Sequence, residues 1–322
     1  MSVTAYRSVT VGVSDLDRAL RLFRDVMALR VEHEGPVARD WLDAWRLASG
    51  VTARAALLSC KGYPFGMLRL VEYSPRPTVR VRHDFGAEAP DSPLAVGPKA
   101  IDFYVADPIL PWLERVTREG YVARSAPRRH VVGPSESEEV VISGPDELPV
   151  LLMVGHRHAS TSLRPGSPDG PFSEVATSSV VCGELAASRR FYGEGLGLVP
   201  VNDAETPDRF RDLVDELVDA PRGTRVHFLL YAQRGEASGK TLLLNFPGLD
   251  AGRLAGRMQP GHLGFSLFHH DCDDVDALAR RLPGLGGTIV TPPVVVTTDR
   301  GPRRVLLVRG PNEEMLELSS PA

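Results

Sequence analysis

The stretch Val13-Ser14-Asp15-Leu16-Asp17-Arg18-Ala19-Leu20-Arg21-Leu22-Phe23 returns in the second half of the chain as Cys182-Gly183-Glu184-Leu185-Ala186-Ala187-Ser188-Arg189-Arg190-Phe191-Tyr192. A short apolar run follows each copy, Val26-Met27-Ala28-Leu29 and Leu196-Gly197-Leu198-Val199. A second echo closes each half: Gly144-Pro145-Asp146-Glu147 and Gly310-Pro311-Asn312-Glu313. A period this long marks a duplicated domain, not a solenoid repeat. Positions where the copies differ then indicate which copy can hold a chemical site.

Each half itself reads as two similar units. Residues 7–13 form a β-like run, and Ser14 with Asp17 three positions on resembles a capping box. Leu16, Leu20 and Phe23 fall at helical spacing, so a helix is expected to about Asp25. Strand-like segments follow at 29–34, 55–59 and 67–73. Residues 77–98 read as a connection, and the order restarts at Ala100-Ile101-Asp102-Phe103-Tyr104-Val105. Residues 157–171, polar and rich in Pro and Gly, read as a linker. The second half repeats the layout, with an extra amphipathic helix expected over Asp208–Asp219 and a fourth first strand over 262–268. The expected fold is α+β: tandem duplicated domains, 1–156 and 172–322, each of two βαβββ modules forming a curled sheet around a cavity.

A chain of 322 residues suffices for two domains of ordinary size. Its net charge of −4 argues against a large nucleic-acid surface. Cys60, Cys182 and Cys272 are scattered and form no CxxC, which fits buried thiols. No apolar run approaches the roughly 18 residues of a membrane span, and the start of the chain carries no apolar signal core. A soluble cytoplasmic protein is expected, with a small-molecule ligand, no nucleic acid and no membrane partner. A homodimer is left open. Pro283-Gly284-Leu285-Gly286-Gly287 follows a helix instead of opening one and reads as a helix stop.

The strand, the acidic helix start, the aromatic, the apolar run and the Gly-Pro-Asp/Asn turn together resemble the vicinal oxygen chelate superfamily. That superfamily includes glyoxalases, bleomycin-resistance proteins and extradiol dioxygenases. The resemblance implies metal ligands from two places: a His or Gln in a unit's first strand, and a Glu in its last. In the first half these positions fall on Ser8, Ala100, Arg69 and Leu151, none of which suits a metal. Arg69 could instead face an anionic ligand. In the second half they fall on Thr177, Leu243, His262 and Glu317. His262 and Glu317 are thus the candidate metal ligands, with His227 a candidate third. The resemblance implies a divalent cation, Fe²⁺, Mn²⁺, Ni²⁺ or Zn²⁺, held in the C-terminal half. Asn245 and Thr177 are candidate catalytic residues, and Ser179, Ser266 and Arg69 candidate substrate contacts.

Extradiol ring cleavage is disfavoured, because the positions for its acid–base residues read Asn245, Leu307 and Asp299-Arg300-Gly301. His269-His270-Asp271-Cys272 is expected in an exposed loop. The leading expectation is a metal-assisted enzyme (isomerase, lyase or dioxygenase type) acting on a small oxygenated substrate. The alternatives are sequestration of a small molecule, as in bleomycin resistance, and a scaffold whose cavities are filled by side chains.

Overall fold

The computed structural model describes residues 2–85, 88–157, 170–298 and 301–322. Most of the expected linker, residues 158–169, lies outside them, as do Asp299 and Arg300. Four βαβββ units are present, as expected. The first comprises β1 (Val3–Val13), α1 (Leu16–Leu20, extended by a π-helix over Arg21–Val26), β2 (Arg30–Pro36), α2 (Arg39–Ala44), β3 (Thr52–Ser59) and β4 (Met67–Ser74). The second has β5 (Gly97–Val105), α3 (Leu110–Arg118), β6 (Val122–Ala123), β7 (Arg128–Val132), β8 (Ser135–Ser143) and β9 (Pro149–Arg157). The third has β10 (Phe172–Val181), α4 (Leu185–Arg189, extended over Arg190–Gly195), β11 (Val199–Glu205), α5 (Asp208–Val218), β12 (His227–Ala232) and β13 (Lys240–Asn245). The fourth has β14 (Gly264–Cys272), α6 (Val275–Arg281), β15 (Thr288–Thr298), β16 (Gly301–Arg309) and β17 (Met315–Pro321). Among the described residues no helix is long and apolar enough to cross a membrane.

Two mixed sheets result, and their composition differs from the order of units along the chain. One sheet runs β15-β16-β17-β14-β1-β4-β3-β2, so the first unit pairs with the fourth. The other runs β11-β12-β13-β10-β5-β9-β8-β6, so the second pairs with the third. Residues 1–156 and 172–322 therefore do not each build a sheet; each half contributes one unit to both. The physical reason is that every unit exposes the same free edge on its first strand, which needs an antiparallel partner. Four units with one hydrophobic pattern do not encode which edges meet.

The long repeat in the sequence returns as an approximate two-fold relation between the sheets. The Gly66 N–H donates to Tyr6 O at 3.0 Å, and the Val175 N–H to Gly66 O at 2.9 Å. On the other side the Tyr6 N–H donates to Gly239 O at 3.3 Å. Both glycines have φ of +67°, and an added Cβ would lie 2.4 Å from Val175 O or 2.8 Å from Tyr6 O. Any side chain there would force the sheets apart.

The two echoed motifs touch each other. The Ser14 N–H donates to Asp146 Oδ2 at 2.8 Å, and the Gly183 N–H to Asn312 Oδ1 at 3.2 Å. The turn closing each half thus binds the loop that opens it. The α1 cap is Asp15, which accepts from the Arg18 N–H at 2.8 Å, and not Ser14; the Ser14 N–H is engaged by the turn.

Glu314, beside the second turn, is fully buried, and burial pushes its carboxyl up to about 7. An unfolded glutamate titrates near about 4.3. The folded state therefore keeps a proton that the unfolded state releases. The resulting stability is complete below the unfolded value and is lost as pH rises through about 7. Glu314→Gln should flatten this slope, stabilising the protein at pH 8 with little effect at pH 4, as read from urea midpoints at each pH.

Candidate functional site

Each sheet has a concave face crossed by an inserted helix. In the first, α2 reaches from unit one to unit four: the Trp41 Nε1–H donates to Thr297 O at 3.2 Å, and the Thr291 hydroxyl to Ala44 O at 2.8 Å. In the second, α5 reaches from unit three to unit two through Glu216 and Arg128, 2.5 Å apart. The two helices start at Arg39 and Asp208, the same offset that separates Val13 from Cys182.

Glu317 lies on β17 and is completely buried. The strand register places it beside His269, and His269 opposite Ser8. His262 precedes β14 near the other end, where Gly264 pairs with Gly12. Five strand residues, roughly 17 Å, separate Gly264 from His269. The expected His262–Glu317 pair is therefore not formed. The His262 ring instead contacts Arg257 O at 2.8 Å and Gln259 Nε2 at 3.1 Å. The stretch 269–272, expected as exposed loop, is strand: β14 pairs with β1 as far as Cys272, which satisfies its backbone. Burial and the nearby Arg69 keep the His269 imidazole neutral, and burial brings His270 down to about 4.

The Glu317 carboxylate is already engaged. Its Oε2 accepts from the Trp45 Nε1–H at 2.5 Å, and Arg69 Nη2 lies 3.4 Å from Oε1. Arg69 also lies 3.4 Å from His269 Nδ1 and 3.4 Å from Ser8 Oγ, and its guanidinium faces the rings of Trp41 and Trp45 at 5.7 and 5.6 Å. A guanidinium thus sits among the atoms that would have to bind a cation. It carries a permanent positive charge and offers no lone pair. Among the described residues no three His, Cys, Asp or Glu side chains converge as a ligand set. The donors at this face do not fit a divalent metal. His227, the other candidate ligand, pairs with Asp203 at 2.6 Å on β11.

The other sheet is open at the equivalent place. Across four strands, Lys240, Thr177, Asp102 and Leu151 stand in register, in that order. They line a partly open pocket. The repeat relates Ser8 to Thr177, and the pairing relates Arg69, His269 and Glu317 to Leu242, Asp102 and Leu151. Trp45, at the end of α2, corresponds by the same offset to Val214 on α5. An Arg–Glu pair under an indole fills one cavity, whereas two leucines in place of that pair leave the other open. The expected positions Ala100 and Leu243 give way to Asp102, two residues on and on the same face, and to Leu242, one residue back and on the opposite face.

The polar groups of the open cavity are strongly perturbed. Burial and the Glu139 carboxylate hold the Asp102 carboxyl well above the usual range, while burial brings Lys240 down to about 8. His130 lies 3.3 Å from Glu139, which also accepts from the Ser137 hydroxyl at 2.5 Å. Burial works against the His130 charge, but Glu139 outweighs it and raises the imidazole above its ordinary value. Such perturbation in a cleft is a signature of functional sites.

Of the other expected site residues, Thr177 lines this cavity. The Ser179 hydroxyl lies beside it, 3.5 Å from Asp102 Oδ1. Asn245 does not line it: its amide donates to Cys182 O and Gly183 O at 3.0 and 2.9 Å, tying down the loop after β10. The Ser266 hydroxyl donates to Thr10 O at 3.2 Å and joins β14 to β1. Sequence reasoning passed over Asp102, Lys240, His130 and Glu139. The available signal was a charged residue at a strand position next to apolar runs, as in Ile101-Asp102-Phe103 and Lys240-Thr241-Leu242-Leu243.

Residues 174–318 match the sequence model of the Glyoxalase/Bleomycin resistance protein/Dioxygenase superfamily. The structure resembles glyoxalase I from Zea mays, with a TM-score of 0.60 at 15% identity, covering 99% of this chain and 92% of that one. It also resembles a candidate dioxygenase from Bacillus subtilis subsp. subtilis str. 168, with a TM-score of 0.60 at 14% identity, covering 99% and 86%. At these identities the likeness concerns the fold. A comparison with curated proteins finds no match.

Proposed function

Given the match of residues 174–318 to the Glyoxalase/Bleomycin resistance protein/Dioxygenase superfamily, we propose that the chain binds a small oxygen-bearing organic molecule in the cavity between its second and third units, without a resident metal ion. One observation carries this reading: the row Lys240–Thr177–Asp102 is buried yet borders open space, while the equivalent face of the other sheet is filled by Arg69 and Glu317. Apolar walls with a few convergent polar groups are the usual make-up of a ligand pocket. The reading replaces metal-assisted chemistry at His262 and Glu317 with capture of a ligand in the other sheet. Turnover at this site would need a proton acceptor and a proton donor at the ligand. Lys240, titrating at about 8, and Asp102, held protonated by burial, flank Thr177 and are placed for those roles.

The test is calorimetric titration of benzoate, benzamide and benzaldehyde in the presence of EDTA. At least one should bind saturably, and Leu151→Trp, which puts an indole into the cavity, should weaken that binding at least about ten-fold with the fold retained. Binding that disappears with EDTA, or that survives Leu151→Trp unchanged, would overturn the reading.

A further inference from the structure

We propose that the cavity between the second and third units takes a small organic anion, a carboxylate on a largely apolar body, with the Lys240 ammonium as its charge partner. This rests on the cavity assigned above and adds the chemistry of its ligand.

Other buried cations of the protein each have an acceptor at hydrogen-bond distance. Lys99 Nζ donates to Asp84 Oδ2 and Pro93 O, both at 2.7 Å. Arg82 donates to Pro98 O at 2.7 Å, Ser92 O at 3.1 Å and Asp84 Oδ2 at 3.3 Å. Arg124 reaches Asp84 Oδ1 at 3.0 Å. Lys240, only 5% exposed, has no hydrogen-bond acceptor and no ion-pair partner among the described residues. Its ammonium has the face of the Tyr104 ring, 5.8 Å from the centroid, and the cavity. A buried cation with no direct ion pair is costly, and a ligand anion at its ammonium lowers that cost.

The carboxyls around Lys240 are occupied elsewhere or neutral. Glu174 on β10 accepts from the Ser238 hydroxyl. Glu236, in the turn before β13, accepts from the Tyr63 hydroxyl and from the Ala237 N–H at 2.7 Å. Glu139 on β8 is engaged by Ser137 and His130. Asp102 on β5, kept protonated by burial and by Glu139, presents a carboxylic acid to the cavity. Together with the Thr177 hydroxyl it sits in line with Lys240, so one ligand carboxylate meets three donors. Leu151, Met153, Leu230, Leu242 and Phe228 line the remaining walls, which favours an organic body over an inorganic ion.

The binding should follow the protonation of Lys240. Burial lowers it and the surrounding carboxyl groups, Glu174 first, raise it, leaving it at about 8. Affinity for an anion is full below that value and falls as pH rises through it. The experiment compares benzoate with benzamide, nearly the same shape without the charge, by calorimetry in EDTA at pH 6.5 and pH 9.5. Benzoate is expected to bind at least ten-fold more tightly at pH 6.5, and the preference should shrink at pH 9.5. Lys240→Met should abolish the preference and leave benzamide binding in place, and Lys240→Arg should retain it. Equal affinities in the wild-type protein, or a preference that persists in Lys240→Met, overturn the anion proposal while the cavity assignment stands. If neither compound binds, the anion proposal falls, and if benzaldehyde does not bind either, the cavity assignment falls with it. Sulfate competing with benzoate as well as acetate does would overturn the organic part of the proposal.

Discussion

Asp84→Asn is expected to lower the stability of the protein by about 3–5 kcal/mol, the usual cost of removing one partner from a buried ionic cluster. Asp84 is 2% exposed and is the carboxylate shared by Lys99, Arg82 and Arg124, at 2.7, 3.3 and 3.0 Å. Burial alone would raise its carboxyl, but the three cations outweigh that and hold it below the ordinary value. Lys99 is itself brought down to about 7 by burial. With asparagine in place, three cations remain buried and their mutual repulsion is no longer offset. The cluster secures residues 82–99, which carry the chain from the first sheet to β5 in the second. The loss should therefore appear as a lower urea midpoint with an early loss of protection in β5 on hydrogen exchange. A midpoint within error of the wild type would show that the backbone carbonyls around Arg82 and Lys99 suffice.

Arg69→Met is expected to cost a similar amount, about 3–5 kcal/mol. It leaves Glu317, with no exposed surface, facing an uncharged side chain. The informative comparison is the double variant Arg69→Met/Glu317→Leu. A buried ion pair replaced by apolar side chains of similar volume is commonly neutral or stabilising, so the double variant should recover most of the loss. The remainder should reflect the Trp45 Nε1–H, which loses its acceptor; adding Trp45→Phe should then restore part of that remainder. This pattern, read by chemical denaturation, is the one expected if Glu317 serves packing. A double variant no more stable than Arg69→Met would mean that the carboxylate is needed for another reason. Added Zn²⁺, Ni²⁺ or Mn²⁺ should leave the wild-type midpoint unchanged.

The architecture is legible along the chain because periodicity survives in any context. The helix start at Asp15-Leu16, the echo at Glu184-Leu185 and the inserted helix at Asp208–Val218 appear close to where the pattern puts them. The first inserted helix, Arg39–Ala44, leaves no such sign, since its 6 residues are too few to show a helical period. His269 and His270 read as loop in the sequence because polar composition normally marks exposure. Their strand is held by β1, at the opposite end of the chain, and no local pattern reports such a partner.

The candidate site depends more heavily on three dimensions. Thr177 and Glu317 do stand on the concave surfaces, but beside partners other than those the sequence suggests. Which residue stands beside another across a sheet is a matter of register, and a shift of one or two residues changes the answer. By itself, the sequence determined the four βαβββ units and the duplication, because these rest on spacing within short segments. Tertiary structure alone decided that the first unit joins the fourth and the second joins the third. It also decided that Arg69 fills one cavity while Lys240 borders the other with no direct ion pair among the described residues. Those outcomes depend on which of several equivalent strand edges meet and on which side chains then compete for the same enclosed volume.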